Sequence, residues 1–219
     1  MSQAVIFDVD GVLIDSYQAH YESWRALCRE HGFDITETQF ATTFGRRSSD
    51  IIAMLFEGEF TDEQIAVMDD RKEALFREIV ERDFPAMDGA VELIDDLAGA
   101  GFKLALGSSG PPDNVMLVLR KLDRVMSVGA VVTGQDVTRG KPDPQVFQTA
   151  AQRLVVDPSH CVVVEDAVPG IEAAKRAGMK AVALTGTAPR EELEAAGADL
   201  VVDSLRELGA GQMMTLLGG

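Results

Sequence analysis

Two cysteines, one tryptophan and two tyrosines stand among 219 residues. Cys28 and Cys161 lie far apart and outside any Cys-x-x-Cys or Cys/His spacing. A disulfide scaffold or thiolate metal site is therefore not expected, and both read as buried thiols. Positive charge is scarce: 20 Lys and Arg face 36 Asp and Glu, a formal net charge of −16. Nucleic-acid backbones are held by surplus cation, so no nucleic-acid partner is expected. No apolar run approaches the ~20 residues that cross a bilayer. Asp8 interrupts the first apolar stretch too early for a signal peptide, which predicts a cytoplasmic protein away from membranes. Repeats and low-complexity tracts are lacking as well. With 46% hydrophobic and 26% charged residues, the chain has ample material for a core. Its length suits one globular unit, or a core carrying a smaller insert.

Ala4–Phe7 is a continuous apolar run stopped by Asp8, as suits a strand buried on both faces. Similar runs follow at 103–106, 130–132, 161–164 and 181–184, with a weaker one at 200–202. Between them, helical periodicity covers 89–100, 112–122, 143–154 and 168–177, with Gly101 and Gly178 as stops. This alternation predicts an α/β fold, a doubly wound parallel sheet. Residues 17–83 break it. They carry most of the aromatics and read as three or four amphipathic helices whose aromatic stripe is a packing core. The expected organisation is thus an α/β core of residues 1–16 and 84–219 with a helical cap, 17–83, inserted after the first strand. The linkers at 14–16 and 84–87 are expected to act as a hinge.

Every candidate acid of the core falls just after a strand, where open α/β sheets gather their ligand sites. Asp8 and Asp10 follow the first strand, Ser108 and Ser109 the second, Lys141 comes after the third, and Glu165 and Asp166 end the fourth. Carboxylates crowded at one point repel unless a cation sits among them, and a hard divalent ion with oxygen ligands, Mg²⁺, fits best. Asp8 can attack a phosphoryl group and form an acyl-phosphate. Asp10, two residues on and on the same side of an extended turn, can protonate the leaving oxygen. Lys141 would neutralise the transferring group while the Ser108 hydroxyl holds one of its oxygens. Taken singly, each has a plainer reading: Asp-x-Asp as turn chemistry, Lys141 as a surface lysine, Ser108-Ser109-Gly110 as a loop.

In combination the segments Phe7-Asp8-Val9-Asp10-Gly11-Val12-Leu13-Ile14-Asp15-Ser16, Leu106-Gly107-Ser108-Ser109, Gly140-Lys141-Pro142-Asp143-Pro144 and Val164-Glu165-Asp166-Ala167-Val168-Pro169-Gly170 resemble, in order, the four motifs of the haloacid dehalogenase-like superfamily. The likeness spans nearly the whole chain and points to its small helical-cap branch of phosphatases and β-phosphoglucomutases. The resemblance implies Asp8 as nucleophile and Mg²⁺ ligand, and Asp10 as acid/base that also offers its backbone carbonyl to the metal. It implies Asp166 as a direct carboxylate ligand, with Glu165 assisting directly or through water. Asp10 and Asp166 speak against the carbon-attacking dehalogenases, as the resemblance is drawn. Phosphonatases place a Schiff-base lysine in the early cap, where this chain has Arg46 and Arg47.

Candidate substrate-binding residues in the insert are His20, Gly45, Arg46, Arg47 and Lys72, with Ser109 from the core. Clustered cations would locally reverse a field that repels anions, and an arginine fork grips a second phosphate or a carboxylate; the plainer reading is solvated helix charge. His20 and Lys72 also resemble residues of β-phosphoglucomutases. Those enzymes resemble one another in continuing the second-motif loop with a further hydroxyl and Lys-Asn, whereas this chain has Gly110-Pro111-Pro112-Asp113. Two prolines remove two N–H donors. The expectation is therefore a Mg²⁺-dependent phosphatase of a small phosphorylated metabolite, such as a sugar phosphate or phosphoglycolate-like acid, working as a monomer or small homo-oligomer. A hexose-phosphate mutase is the alternative, and an inactive binding module the alternative of another class.

Overall fold

The computed structural model describes residues 2–43, 46 and 48–218. Six strands, β1 (Ala4–Phe7), β2 (Lys103–Gly107), β3 (Ala130–Val132), β4 (Cys161–Glu165), β5 (Lys180–Leu184) and β6 (Leu200–Val202), form one parallel sheet in the order β3-β2-β1-β4-β5-β6. Their continuous apolar runs follow from burial on both faces, which removes the polar alternation of a half-exposed strand. Ala4 of β1 pairs with Lys103 on one side and Cys161 on the other. The chain winds outward from β1 to β3, then crosses back to lay β4 beside β1. The order therefore reverses between β1 and β4, and a crevice opens there at the carboxyl ends of the strands.

Helices α5 (Ala90–Gly99), α6 (Pro112–Lys121), α7 (Gln145–Leu154), α8 (Val168–Arg176), α9 (Arg190–Ala195) and α10 (Ala210–Leu216) cover the sheet, numbered after the four helices of the insert. One face of the sheet, with Ile6, Ala105, Val163 and Ala181, packs on Phe147 of α7, Ile171 of α8 and Leu193 of α9. The intervening residues point the opposite way by the two-residue period of a strand. The doubly wound expectation holds. The carboxyl-terminal stretch, left unassigned by its pattern, folds as α10 and buries Met213 completely.

The chain divides into two compact units, Met1–Asp15 with Ala86–Gly219, and Ser16–Pro85. Ile14 bridges Ala86 in antiparallel fashion, and the Met87 amide donates to the Leu13 carbonyl at 3.1 Å. The segment between 14 and 86 thus leaves and rejoins the sheet unit at one point. It holds α1 (Tyr17–Glu30), α2 (Glu37–Ala41), α3 (Ser48–Leu55) and α4 (Asp62–Arg82). Capping boxes, Thr36 with Gln39 and Thr61 with Gln64, start α2 and α4. The core of this unit includes Trp24, Leu27, Phe40, Ile52, Phe56 and Leu75. Its aromatic stripe is packing material: Phe33 meets Phe56 edge-on at 5.0 Å, and Tyr17 meets Phe40 at 5.4 Å.

Candidate active site

Asp8 is the first residue past β1. Its amide still donates to the Val164 carbonyl of β4 at 2.9 Å, so the sheet fixes its backbone and buries its side chain at the switch point. The chain then folds back on itself, with the Leu13 amide donating to the Val9 carbonyl at 2.8 Å and that of Gly11 to Ile14 at 2.9 Å. Gly11 has φ +74°, and a Cβ there would collide with Asp166 Oδ2. Both the left-handed backbone and the close approach demand glycine.

Across the crevice, β4 ends on Glu165, which is 1% exposed. Its Oε2 accepts from the amides of Asp166 (2.8 Å) and Ala167 (2.9 Å), at the entrance to α8. Its Oε1 accepts from Lys141 Nζ at 2.7 Å, while the same ammonium donates to Asp8 Oδ1 at 2.6 Å. The Lys141–Pro142 bond is cis. Lys141 Nζ also lies 4.9 Å from the centroid of the buried Phe147 ring. Arg176, at the end of α8, donates to the Pro142 carbonyl at 2.7 Å and pins the loop that carries the lysine. Lys141, whose Gly-Lys-Pro turn aims it inward, is thus far from the surface lysine of the plainer reading.

Asp8, Glu165 and Asp166 bring carboxylate oxygens within 4.8 Å of one another, all three buried. Burial pushes the Asp8 carboxyl up to about 7, against the pull of Lys141 and with the charges of Glu165 and Asp10 adding to the rise. Burial likewise raises Asp166, reinforced by Glu165 and Asp8. For Lys141 burial works to lower the value, yet Asp8 and Glu165 hold the ammonium above its usual range. One ammonium among three buried carboxylates leaves negative charge unmet. Hard oxygen donors with surplus charge suit a divalent cation such as Mg²⁺.

The β2 loop forms another wall of the core site. The buried Ser108 is held by its amide on the Val132 carbonyl at 3.0 Å, and its hydroxyl oxygen accepts from the Gly110 amide at 3.0 Å. A Cβ on Gly110 would stand 3.2 Å from Ser108 Oγ and 3.7 Å from Asp10 Oδ2, so both side chains flank that glycine. Asp10 is half-buried and stands outside the carboxylate trio. Ser109 is exposed. Its carbonyl lies so close to Gly134 that a Cβ there would collide with it.

Within the helical unit, Lys72 is 3% exposed, unusual for a lysine. Its Nζ lies 2.9 Å from His20 Nδ1 and donates to Glu73 at 2.8 Å, with the Trp24 and Phe76 rings 5.7 and 5.4 Å away. His20 stacks on Phe76 at 4.3 Å. These two candidates meet each other. Arg46 is exposed, its Nε donating to the Thr42 carbonyl at 3.3 Å. Gly45 and Arg47 lie outside the described residues.

Sequence reasoning quoted Gly170 in the fourth motif without reading its role, and missed Thr187. Gly170 in α8 admits the Glu165 carboxylate against its α-carbon, where any Cβ would collide. Thr187, in the loop after β5, donates its hydroxyl to Asp166 Oδ2. The only available signal for Thr187 was its place just beyond a strand's carboxyl end.

The family profile described as haloacid dehalogenase-like hydrolase matches residues 3–178. The chain belongs to the haloacid dehalogenase-like hydrolases. Among its relatives in this family, validoxylamine A 7′-phosphate phosphatase of Streptomyces hygroscopicus subsp. limoneus is 36% identical over 95% of this chain and 96% of its own. β-Phosphoglucomutase of Bacillus subtilis is 32% identical over 94% and 91%. A crystal structure of a haloacid dehalogenase-like hydrolase, family IA, variant 3, from Entamoeba histolytica superposes with a TM-score of 0.89 at 25% identity, covering 99% of this chain and all of that one. This hydrolase is accordingly an enzyme of phosphoryl chemistry, a phosphoric monoester hydrolase or a phosphomutase. No helix among the described residues is long and apolar enough to cross a membrane.

Proposed function

We propose that the chain is a Mg²⁺-dependent phosphatase that hydrolyses a small phosphorylated metabolite, a sugar phosphate or phosphoglycolate-like acid, through an aspartyl-phosphate on Asp8. The reading is carried by the buried Asp8 at the switch point, with Lys141 Nζ 2.6 Å from Oδ1. An Asp8 oxygen attacks phosphorus while the bond to the leaving alcohol's oxygen breaks, and Asp10 gives that leaving oxygen its proton. Water then attacks the phosphorus of the acyl-phosphate, Asp10 takes a proton from it, and inorganic phosphate and the Asp8 carboxylate are regenerated. Lys141 and the Ser108 hydroxyl hold the phosphoryl oxygens. Asp8 and Asp166, with the Asp10 carbonyl and Glu165 in support, would hold Mg²⁺, which when bound neutralises charge on the transferring group. Residues 17–83 act as a cap, with His20, Gly45, Arg46, Arg47 and Lys72 as its recognition groups, joined by Ser109 of the core.

The Bacillus subtilis relative gives the mutase reading its support. Against it, α6 starts at Pro112 with Pro111 as its N-cap, so two N–H groups are missing where a mutase loop would grip phosphate. A panel of metabolite phosphates and p-nitrophenyl phosphate, run with Mg²⁺ and then EDTA, tests the proposal. Metal-dependent phosphate release supports hydrolysis, and isomerised product requiring a bisphosphate primer would replace it with mutase action. Asp8→Asn removes the attacking anion at constant volume, so turnover should fall by about 10³-fold or more with the circular dichroism spectrum unchanged. A near-normal rate would remove the covalent mechanism.

A further inference from the structure

The loop between β5 and α9 enters the core site from a side that no motif marks. Thr187 donates its hydroxyl to Asp166 Oδ2. Gly11 lies against both partners: a Cβ there would stand 3.3 Å from Thr187 Oγ1 and collide with Asp166 Oδ2. That oxygen is therefore gripped between the β1 loop and the β5 loop. The β5 loop is itself braced. The Thr185 amide donates to the Val202 carbonyl at 2.9 Å, and its hydroxyl to Asp203 at 2.8 Å. Only Gly186 separates this anchor from Thr187, so Thr187 is delivered to Asp166 from a short tethered span. A carboxylate held at one oxygen loses its freedom to turn about its terminal torsion, and the plane containing the other oxygen is set with it.

We propose that Thr187 is a positioning residue for the divalent-cation site, its hydroxyl fixing the Asp166 carboxylate in the orientation that serves the ion. This rests on the Mg²⁺-dependent reading above. The hydroxyl supplies orientation, so its loss weakens cation binding more than it slows the chemistry once the ion is bound.

The test is isothermal titration of Mg²⁺ into the EDTA-treated, dialysed full chain and its variants, beside the Mg²⁺ dependence of turnover. Thr187→Val keeps the side chain's shape without its hydroxyl and should raise the Mg²⁺ dissociation constant about tenfold or more. Thr187→Ser restores the donor and should stay within about twofold of the parent. In turnover, the Mg²⁺ concentration giving half-maximal rate should rise in the valine variant while kcat at saturating Mg²⁺ changes little. If the valine variant does not fold, as judged by its metal-free melting curve, Thr187→Ala makes the same comparison. Unchanged Mg²⁺ affinity in the hydroxyl-free variant overturns the proposal, as does a serine variant as weak as valine, since the hydroxyl would then not be the cause. A parent protein that binds no Mg²⁺ would instead overturn the cation reading of the site, and this inference with it.

Discussion

Lys141 supplies part of the countercharge in the candidate site. Its ammonium lies between Asp8 and Glu165, at 2.6 and 2.7 Å, and these two carboxylates share their pocket with Asp166. Glu165 is fully engaged, one oxygen by Lys141 and the other by two backbone amides, so it positions the lysine as well as adding charge. Removing the ammonium leaves buried carboxylates uncompensated, a change that typically costs about 3–5 kcal/mol. Lys141→Met retains most of the stem and removes the ammonium together with its contact to the Phe147 ring. In urea unfolding with EDTA it should lose about 3 kcal/mol. With Mg²⁺ present the loss should be smaller, because a dication supplies the missing charge. Equal losses in the two conditions would mean that no cation couples to this trio.

Among the elements, α7 ends against local preference. Its C-cap residue Val155 takes φ 55° and ψ 55° and is 82% exposed. A β-branched side chain in the left-handed region costs about 1–2 kcal/mol, and little packing offsets that cost at an exposed site. Val155→Gly should stabilise the sheet unit by about 1 kcal/mol, net of glycine's greater freedom when unfolded, and raise its melting temperature by roughly 2–4 °C. A calorimetric scan showing a lower melting temperature would mean that the valine makes an apolar contact worth more than the strain. The elements also differ in how readily they could be read. The continuous runs at 4–7, 130–132 and 200–202 match β1, β3 and β6 to the residue, because a polar residue or glycine stands on each side of every run: Gln3 and Asp8, Gly129 and Thr133, Asp199 and Asp203. β4 runs one residue beyond its apolar stretch, and the residue that hydropathy reads as a stop, Glu165, belongs to the site. The short α9 and α10 escaped notice, as six or seven residues hold too few turns to show a period. In the site, Asp8, Lys141, Glu165 and Asp166 were visible because strand ends and motif order point at them. Thr187 was not, since a threonine in a Gly- and Thr-containing turn looks like ordinary turn chemistry. Gly170 was hidden for a different reason: its meaning lies in what touches its α-carbon.

For the whole molecule the governing quantity is the net charge of −16. A phosphate monoester carries negative charge near neutrality, so it approaches a protein whose long-range field repels it. At ~0.01 M salt the screening length is about 30 Å, and at ~0.15 M it is about 8 Å. If the global field controls encounter, adding salt should help: kcat/KM for an anionic substrate at saturating Mg²⁺ should rise, on the order of two- to fivefold, between those concentrations. If Arg46, Arg47 and Lys72 are recognition groups for the substrate, as proposed, the local field is attractive and the same salt should lower kcat/KM. The sign of the slope thus weighs the field of the entire chain against that of three residues. Replacing Arg47 by alanine should make the slope more positive if the local field matters and leave it unchanged if that arginine is merely solvated, with a non-ionic osmolyte in place of salt as the control that should show no slope in either protein.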